Sequence, residues 1–559
     1  MFKKILVMLV VAMFGFGELA AQEILEAGKL SGNFQMDAQL YNKDDIIEAP
    51  EVGEKILSNG FLNLNYTNNK ISAGLRYENF ANPMLGYDPR YKGSGIPYRF
   101  ARYSGDVIDV TVGNYYEQFG SGMILRTYWD PALGYDNSLD GIRAKLRPTE
   151  GLEITTLIGK QRMYWSQAKG IVRGADMNIS VNDLLGDILG DEYRLDLGAS
   201  VVSKFQEDTD SKLVLPENVL AYSGRAALSG SDFSLDAEYS YKYNDPNATN
   251  DYNYNPGTGL LINAAYFPEG IGISVSFHRV DNMDFRSDRA KHEMDANINF
   301  LPTLTKQQSY RLATAYPFAT QPNGEIGFQA EVNYLVPKKS MLGGKYGMNL
   351  TANFSQVNSI NKTPDYIDPD NGRVYTYNTN FFELGEELYY REFNLEVQKK
   401  WGKKFKSTFT GIHSTYNKDV VQEEGHHIFG MVNSTILIAD LTWKIARRKA
   451  LRLELQHMWS KNDSTVLTPD NINGNWMYAL AEFTIAPAWY ISVWNEYNYG
   501  NEYEERQLHY PNASVAWIHH TTRVACTYGR QRGGIICVGG VCRPVPASNG
   551  FALSVSSSF

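Results

Sequence analysis

The sequence predicts an all-β fold: a large antiparallel transmembrane β-barrel of about 26 strands, within a range of 22 to 26, with a loop folded into the lumen. Three observations carry this expectation. The last ten residues, Gly550 to Phe559, alternate with period two: Phe551, Leu553, Val555 and Phe559 lie on one side, and Ala552, Ser554, Ser556 and Ser558 on the other. Segments of about ten residues with the same two faces recur back to Lys29, joined by links that alternate long and short. Tyr 37, Phe 26 and Trp 9 make 13% aromatics, which suits girdles whose rings sit at the headgroup level.

In chain order, residues 1–21 read as a signal peptide. Lys3 and Lys4 supply the positive start, Ile5 to Phe16 the apolar run, and Leu19-Ala20-Ala21 a small-residue exit before Gln22. That run is too short to span a bilayer, and no Cys follows to carry a lipid anchor. The remainder, 22–559, reads as a single barrel domain in the cell outer membrane. It has no long apolar run, and the mean hydropathy of the full chain is −0.36. A membrane location therefore requires a closed sheet, because lipid accepts only helices and barrels. The formal net charge of −9 gives no footprint for nucleic acid. Nothing before the first strand, 29–42, is long enough to form a separate plug of roughly 130 residues, which argues against a TonB-dependent receptor.

Short turns fall at Asn68-Asn69, Gly105-Asp106, Pro148 to Gly151, Ser229 to Ser231, Pro268 to Gly270, Trp401 to Lys404, Arg447 to Lys449, Ala486 to Ala488 and His519 to Thr522. Longer polar links fall between them, at 43–58, 80–95, 117–138, 207–219, 244–256, 282–291, 357–386, 461–474, 500–510 and 530–549. The alternation breaks at 180–192 and 336–345, long for the periplasmic side, and at 163–169 and 317–323, short for the outer side. The 180–192 link suits a short amphipathic helix. Strand faces are explicit in 233–243, where Leu235, Tyr239 and Tyr241 oppose Asp236, Glu238 and Lys242, and in 451–459, where Leu453, Leu455 and Trp459 oppose Arg452, Glu454 and Gln456. In 326–334, Ile326, Phe328 and Val332 oppose Gly327, Gln329 and Glu331. Strand 428–445 shifts phase near Ile438-Ala439, which predicts a bulge.

The terminal strand resembles the C-terminal strand of bacterial outer-membrane proteins, whose final Phe, here Phe559, is read by the assembly machinery. A second resemblance rests on Gly529-Arg530-Gln531-Arg532-Gly533-Gly534, Cys537-Val538-Gly539-Gly540-Val541-Cys542-Arg543 and Val545-Pro546-Ala547-Ser548-Asn549-Gly550. It extends to Leu30 to Gln35, Val112 to Gly122 and Val172 to Asp176. These runs resemble an uncharacterised family of Bacteroidota outer-membrane barrels, a domain-of-unknown-function group, across most of the mature chain. The resemblance implies location and fold, and no activity.

Candidate functional residues are few. Cys537 and Cys542, five apart across Val-Gly-Gly-Val, read as a disulfide in an exported protein, with a metal pair as the rival. Cys526 shares a face with Val524 and Tyr528 and reads as a buried thiol on the lipid side. The stretch Gln118 to Tyr135 is unusually apolar and aromatic for an outer link and predicts a fold back into the barrel. There Arg126, Tyr128, Trp129 and Asp130 would line a constriction, with Arg143 and Lys145 on the following strand's inner face; alternatively the segment only fills a wide lumen. Inward charges such as Arg76, Glu78, Glu238, Lys242, Glu454 and Glu496 mix sign, which suits ion-pair ladders better than a charge-selective ring.

Catalysis is not supported. The nine His are scattered, His426-His427 and His519-His520 have no sequence-local Ser partner, and no Gly-x-Ser-x-Gly or His-Glu-x-x-His occurs. Asp365, Asp368, Asp370 and Asn371 read as a turn before a Ca²⁺ site. No cofactor or metal is expected. The expected role is transport of a small or amphipathic solute, with a non-conducting scaffold or assembly factor as the alternative and outer-membrane lipid as the surrounding partner.

Overall fold

A computed structural model describes residues 28–186, 190, 192–422, 429–463, 473–538 and 541–559, without the side chains of 536–538, 541 and 542. Its main feature is one antiparallel sheet of 24 strands that closes on itself. The first strand, Lys29–Asn42, pairs with the second, Ile56–Asn68, and with the last, Ser548–Ser558, from Asn33 opposite Ser558 to Asn42 opposite Asn549. Closure leaves the wall with no unpaired edge, the condition for a sheet to stand in lipid. Neighbouring strands are joined in sequence order by tight turns at one end. At 68–71 the turn uses Asn69 at φ 52°, a left-handed conformation that Asn tolerates. The 180–192 link does begin with a helix, Val181–Leu185.

The two faces of each strand meet different surroundings. In Phe233–Lys242, Leu235 and Tyr239 are exposed at 46% and 40%, while Glu238, Ser240 and Lys242 are buried. In Lys449–Asn462, Leu455 and Trp459 face out, and Glu454, Gln456 and Met458 face in. Phe328 and Val332 also lie on the open outer surface. Apolar side chains therefore cover the outside of a ring with a largely polar inner wall, the arrangement of an outer-membrane barrel. Ile326, on the outward row, is nonetheless buried. Its cross-strand partner Arg279 carries the Phe381 ring 4.5 Å over its guanidinium and donates to Thr379, so the 357–386 link lies across the wall there.

The expected count of about 26 strands is two above the observed 24. The difference lies at 282–323. Strand Ile271–Asp281 pairs directly with Gly324–Val336, Asp281 opposite Gly324, and everything between them leaves the wall. Met283, Phe285, Ile298, Leu304, Leu312, Tyr316 and Phe318 from this segment are buried. Their apolar spacing imitates wall strands, but they are covered by the lumen rather than by lipid.

The expected bulge at Ile438-Ala439 is also corrected. Strand Met431–Ala446 pairs without a register shift against Phe405–Asn417, and shifts against Lys449–Asn462 only between Lys444 and Ala446. Ile436 and Ile438 point inward and are buried against the inserted segment. Apolar residues thus occupy both faces of an unbroken strand, which imitates a change of phase.

Candidate functional site

Two segments enter the lumen, and each brings its own apolar cluster. The first leaves the wall after Tyr115 and rejoins it at Leu139, which face each other across the ladder. Its tip turns through Gly120 and Gly122, at φ 54° and 100°. Gly120 lies so close to the wall that a Cβ would fall 2.5 Å from Glu238 Oε2, the atom that accepts from Ser121 N–H at 2.7 Å. Phe119, Met123, Ile124 and Leu125 are essentially inaccessible and pack on Leu157, Val172 and Val202 of the inner wall. The second segment, 282–323, pairs with the first: Arg126 N–H donates to Ile298 O at 2.8 Å, and Phe300 N–H to Gly122 O at 2.9 Å.

The residues proposed from sequence divide by role. Arg126 is half-buried over the rings of Tyr128 and Phe300, at 4.8 and 4.0 Å. Tyr128 packs on Tyr135 at 5.0 Å, and its buried hydroxyl has no hydrogen-bond partner among the described residues. Trp129 lies under the Arg76 guanidinium at 4.1 Å and edge-on to Phe61. Asp130 spends its carboxylate on its own turn, accepting from Ala132 and Leu133 N–H at 2.9 and 3.0 Å. Arg143 turns to Glu117, 2.6 Å away, in an ion pair whose N–H does not point at the carboxylate. Lys145 pairs with Glu153 at 3.2 Å.

A buried ion-pair network fixes the first segment to the wall. Arg76 Nε donates to Glu78 at 2.7 Å. Arg162 donates to both Glu78 and Asp136 at 2.6 Å, and Arg76 also binds Asp136. Tyr116 donates to Asp136 at 3.1 Å. All four charged side chains are nearly inaccessible, and two cations against two carboxylates is the balance that makes such burial tolerable. Arg76 and Glu78 announce themselves in the sequence as inward charges two apart. Asp136 and Arg162 do not, because only folding brings them together.

Near the outer rim, Arg90 pairs with Asp88 and, at 2.7 Å, with Asp295, to which Tyr164 also donates at 2.6 Å. This clasp ties the outer link to the second lumenal segment. The Arg90 hydrogen bond holds the Asp88 carboxyl below the usual carboxylate range, against the opposing effect of burial. Deeper, the second segment is held by Leu312 N–H to Gln456 Oε1 at 2.8 Å, Arg311 to Glu496 at 2.7 Å and Gln308 to Glu392 at 3.1 Å. A cavity of about 350 Å³ remains between residues 303–318 and Gln531 to Ile535. Sequence reasoning missed this cavity because it assigned 303–318 no lumenal role.

The profile of the Family of unknown function (DUF6029) matches residues 1–559. The chain belongs to the DUF6029 family. No curated protein matches it. Similar solved structures include the siderophore receptor PirA from Pseudomonas aeruginosa, at 8% identity and TM-score 0.40, covering 95% of this chain and 80% of that one. The FrpB iron transporter from Neisseria meningitidis is 9% identical at TM-score 0.37, covering 96% and 84%. OpdL from Pseudomonas aeruginosa is 10% identical at TM-score 0.33, covering 78% and 94%.

In this DUF6029 barrel the remaining candidates stay apart. The backbone places Cys537 opposite Cys542 in the hairpin Gly534–Val538 and Val541–Val545, and the two side chains lie outside the described residues. Cys526 is a free, half-buried thiol. His519 stacks on Trp517 and meets His520 edge-on, and His426 and His427 lie outside the described residues. Asp368 and Asn371 accept from backbone N–H groups of their own turn. Among the described residues no group of His, Cys, Asp and Glu has the arrangement of a metal site.

Proposed function

We propose that this barrel carries a small or amphipathic solute across the outer membrane, with passage restricted by the 118–135 segment. The observation that supports the reading is the packing of that segment: it lies against the inner wall through Phe119 to Leu125, and is tied down by Asp136 to Arg76 and Arg162. A loop held by reversible polar contacts restricts a pore while leaving it able to open. Arg126 and Tyr128 stand as its constriction residues, with Trp129 supporting Arg76 from below. Export by the 1–21 signal and recognition of Phe559 by the assembly machinery belong to the same reading. The test is planar-bilayer conductance of the purified protein, intact and lacking 118–135. Steps that appear or enlarge on deletion are expected, and silence in both forms removes the reading.

A second reading is favoured by the extent of lumen filling. Two apolar clusters and the buried ion pairs make the interior resemble a packed core, as suits a non-conducting scaffold or accessory barrel in an envelope complex. Silence in both forms of the conductance measurement is its expected outcome.

A further inference from the structure

We infer that the cavity beside residues 303–318 is a recognition site for a small hydroxylated organic anion. Its occupancy stands on the cavity alone; only the onward passage of the solute rests on the transport reading above.

The charge on the wall carries the inference. Lys306, Arg311 and Arg532 line the cavity, and among the described residues no carboxylate does. Three carboxylates lie behind this lining: Glu496, whose side chain is 2% exposed, Glu331 and Glu392. Arg311 Nε reaches Glu496 at 2.7 Å and Arg532 Nε at 2.8 Å. The two guanidinium groups share this one carboxylate from behind, so the charged groups that face the cavity are cationic. The Arg311 side chain is 39% exposed, so its remaining N–H donors are open to a ligand. Lys306 forms a long ion pair with Glu331 at 3.9 Å, beyond hydrogen-bond distance, which leaves its N–H donors able to turn to a ligand. Glu392 is engaged by Tyr390 at 2.8 Å and Gln308 at 3.1 Å.

This local sign differs from the wall as a whole, where charges alternate. It arises because the cations come from different parts of the chain: two from the inserted segment and one from the link before the last strand. In a recess, cationic donors facing inward attract an anion more strongly than the same groups do on a flat surface. The rest of the lining selects for hydroxyl groups and a compact carbon skeleton. Thr303, Thr305 and Gln307 offer small polar groups, while Tyr390 and Phe318, stacked at 5.2 Å, supply a flat apolar side. A volume of about 350 Å³ is at the lower end for small-molecule sites. A sugar acid, with one carboxylate and several hydroxyls on a six-carbon chain, meets all three demands.

The test is calorimetric titration of the full-length protein in detergent with sodium gluconate, and with uncharged glucitol as the matched polyol. Saturable gluconate binding is expected, with glucitol at least about tenfold weaker. Lys306→Gln and Arg311→Gln should each weaken gluconate binding by about tenfold, the loss of one charge-assisted hydrogen bond. Heat-modifiable gel mobility checks that each variant is folded; Lys306→Gln, which breaks no short contact, keeps the test decisive if Arg311→Gln misfolds. Absence of gluconate binding, equal binding of glucitol, or gluconate binding indifferent to the folded variants overturns the site. Conductance after deletion of 118–135 is read separately. Binding without conductance keeps the site and removes the transport reading, and conductance without binding does the reverse.

Discussion

Gly32 and Phe559 exchange both of their backbone hydrogen bonds, each 3.0 Å long, at the seam where the first strand meets the end of the last. The Phe559 ring lies over the bare Cα of Gly32: a Cβ there would fall 2.6 Å from Phe559 Cζ and 2.7 Å from the Asn63 carbonyl oxygen. Closure of the ring thus depends on a residue with no side chain. Gly32→Val should destabilise the barrel by about 1–3 kcal/mol through overpacking at the seam, read as a lower temperature for loss of the compact gel form. An unchanged transition would mean that the terminal ring is free to move aside.

Arg162 is the hub of the network that fixes the first lumenal segment. Arg162→Gln leaves Glu78 and Asp136 to share Arg76 in a dry site, at a cost of about 3–5 kcal/mol. Trypsin should then cut after Arg126, which the folded barrel protects. Full protection in this variant would show that apolar packing around Phe119 suffices to hold the segment.

Ile436 tests the second segment. Its side chain is 3% exposed and packs in the inward cluster with Leu312 and Tyr316. Ile436→Asp places an unpaired carboxylate there, costing several kcal/mol, on the order of 2–7, and should release residues 303–318 from the wall. Faster hydrogen exchange confined to 303–318 is the expected readout. Exchange unchanged in that segment would refute its docking on this strand.

Leu455 tests the outer face. It is 53% exposed on the outward row of its strand, so in a bilayer it meets acyl chains. Leu455→Arg should cost about 2–4 kcal/mol if near the midplane, measured by urea unfolding in liposomes. A neutral result would place the residue away from the hydrocarbon.

The Asp88–Arg90 clasp gives a pH dependence. Because the folded state holds the Asp88 carboxyl below its ordinary range, the clasp contributes fully above an ordinary carboxylate pKa of about 3.9 and is lost as pH falls below it. Hydrogen exchange in residues 84–92 should therefore show no loss of protection attributable to Asp88 between pH 8 and pH 5, with loosening only under stronger acid. Loosening near pH 6 that persisted in Asp88→Asn would assign the control to another group.

Much of the candidate site was legible for a specific reason. Residues 118–135 are too apolar for an exposed link, so their return to the lumen follows from composition. Residues 282–323 carry no such mark: parts of them read as ordinary polar links, and the remainder has the apolar spacing of a wall strand. Ile436 and Ile438 mislead in the same way, since an apolar residue facing a filled lumen looks in sequence like one facing lipid. The partnership of Arg162 with Asp136 and the sharing of Glu496 by Arg311 and Arg532 join distant parts of the chain and have no local signature.

What the sequence by itself determined is the wall: strand faces repeat every two residues, and lipid outside demands apolar side chains on one of them wherever the strand falls. What only the tertiary structure decided is the interior. Which segments fill the lumen, which charges neutralise one another there and which face a cavity depend on which residues the closed ring brings opposite each other, and that is set by strand register and ring size rather than by any short stretch of chain.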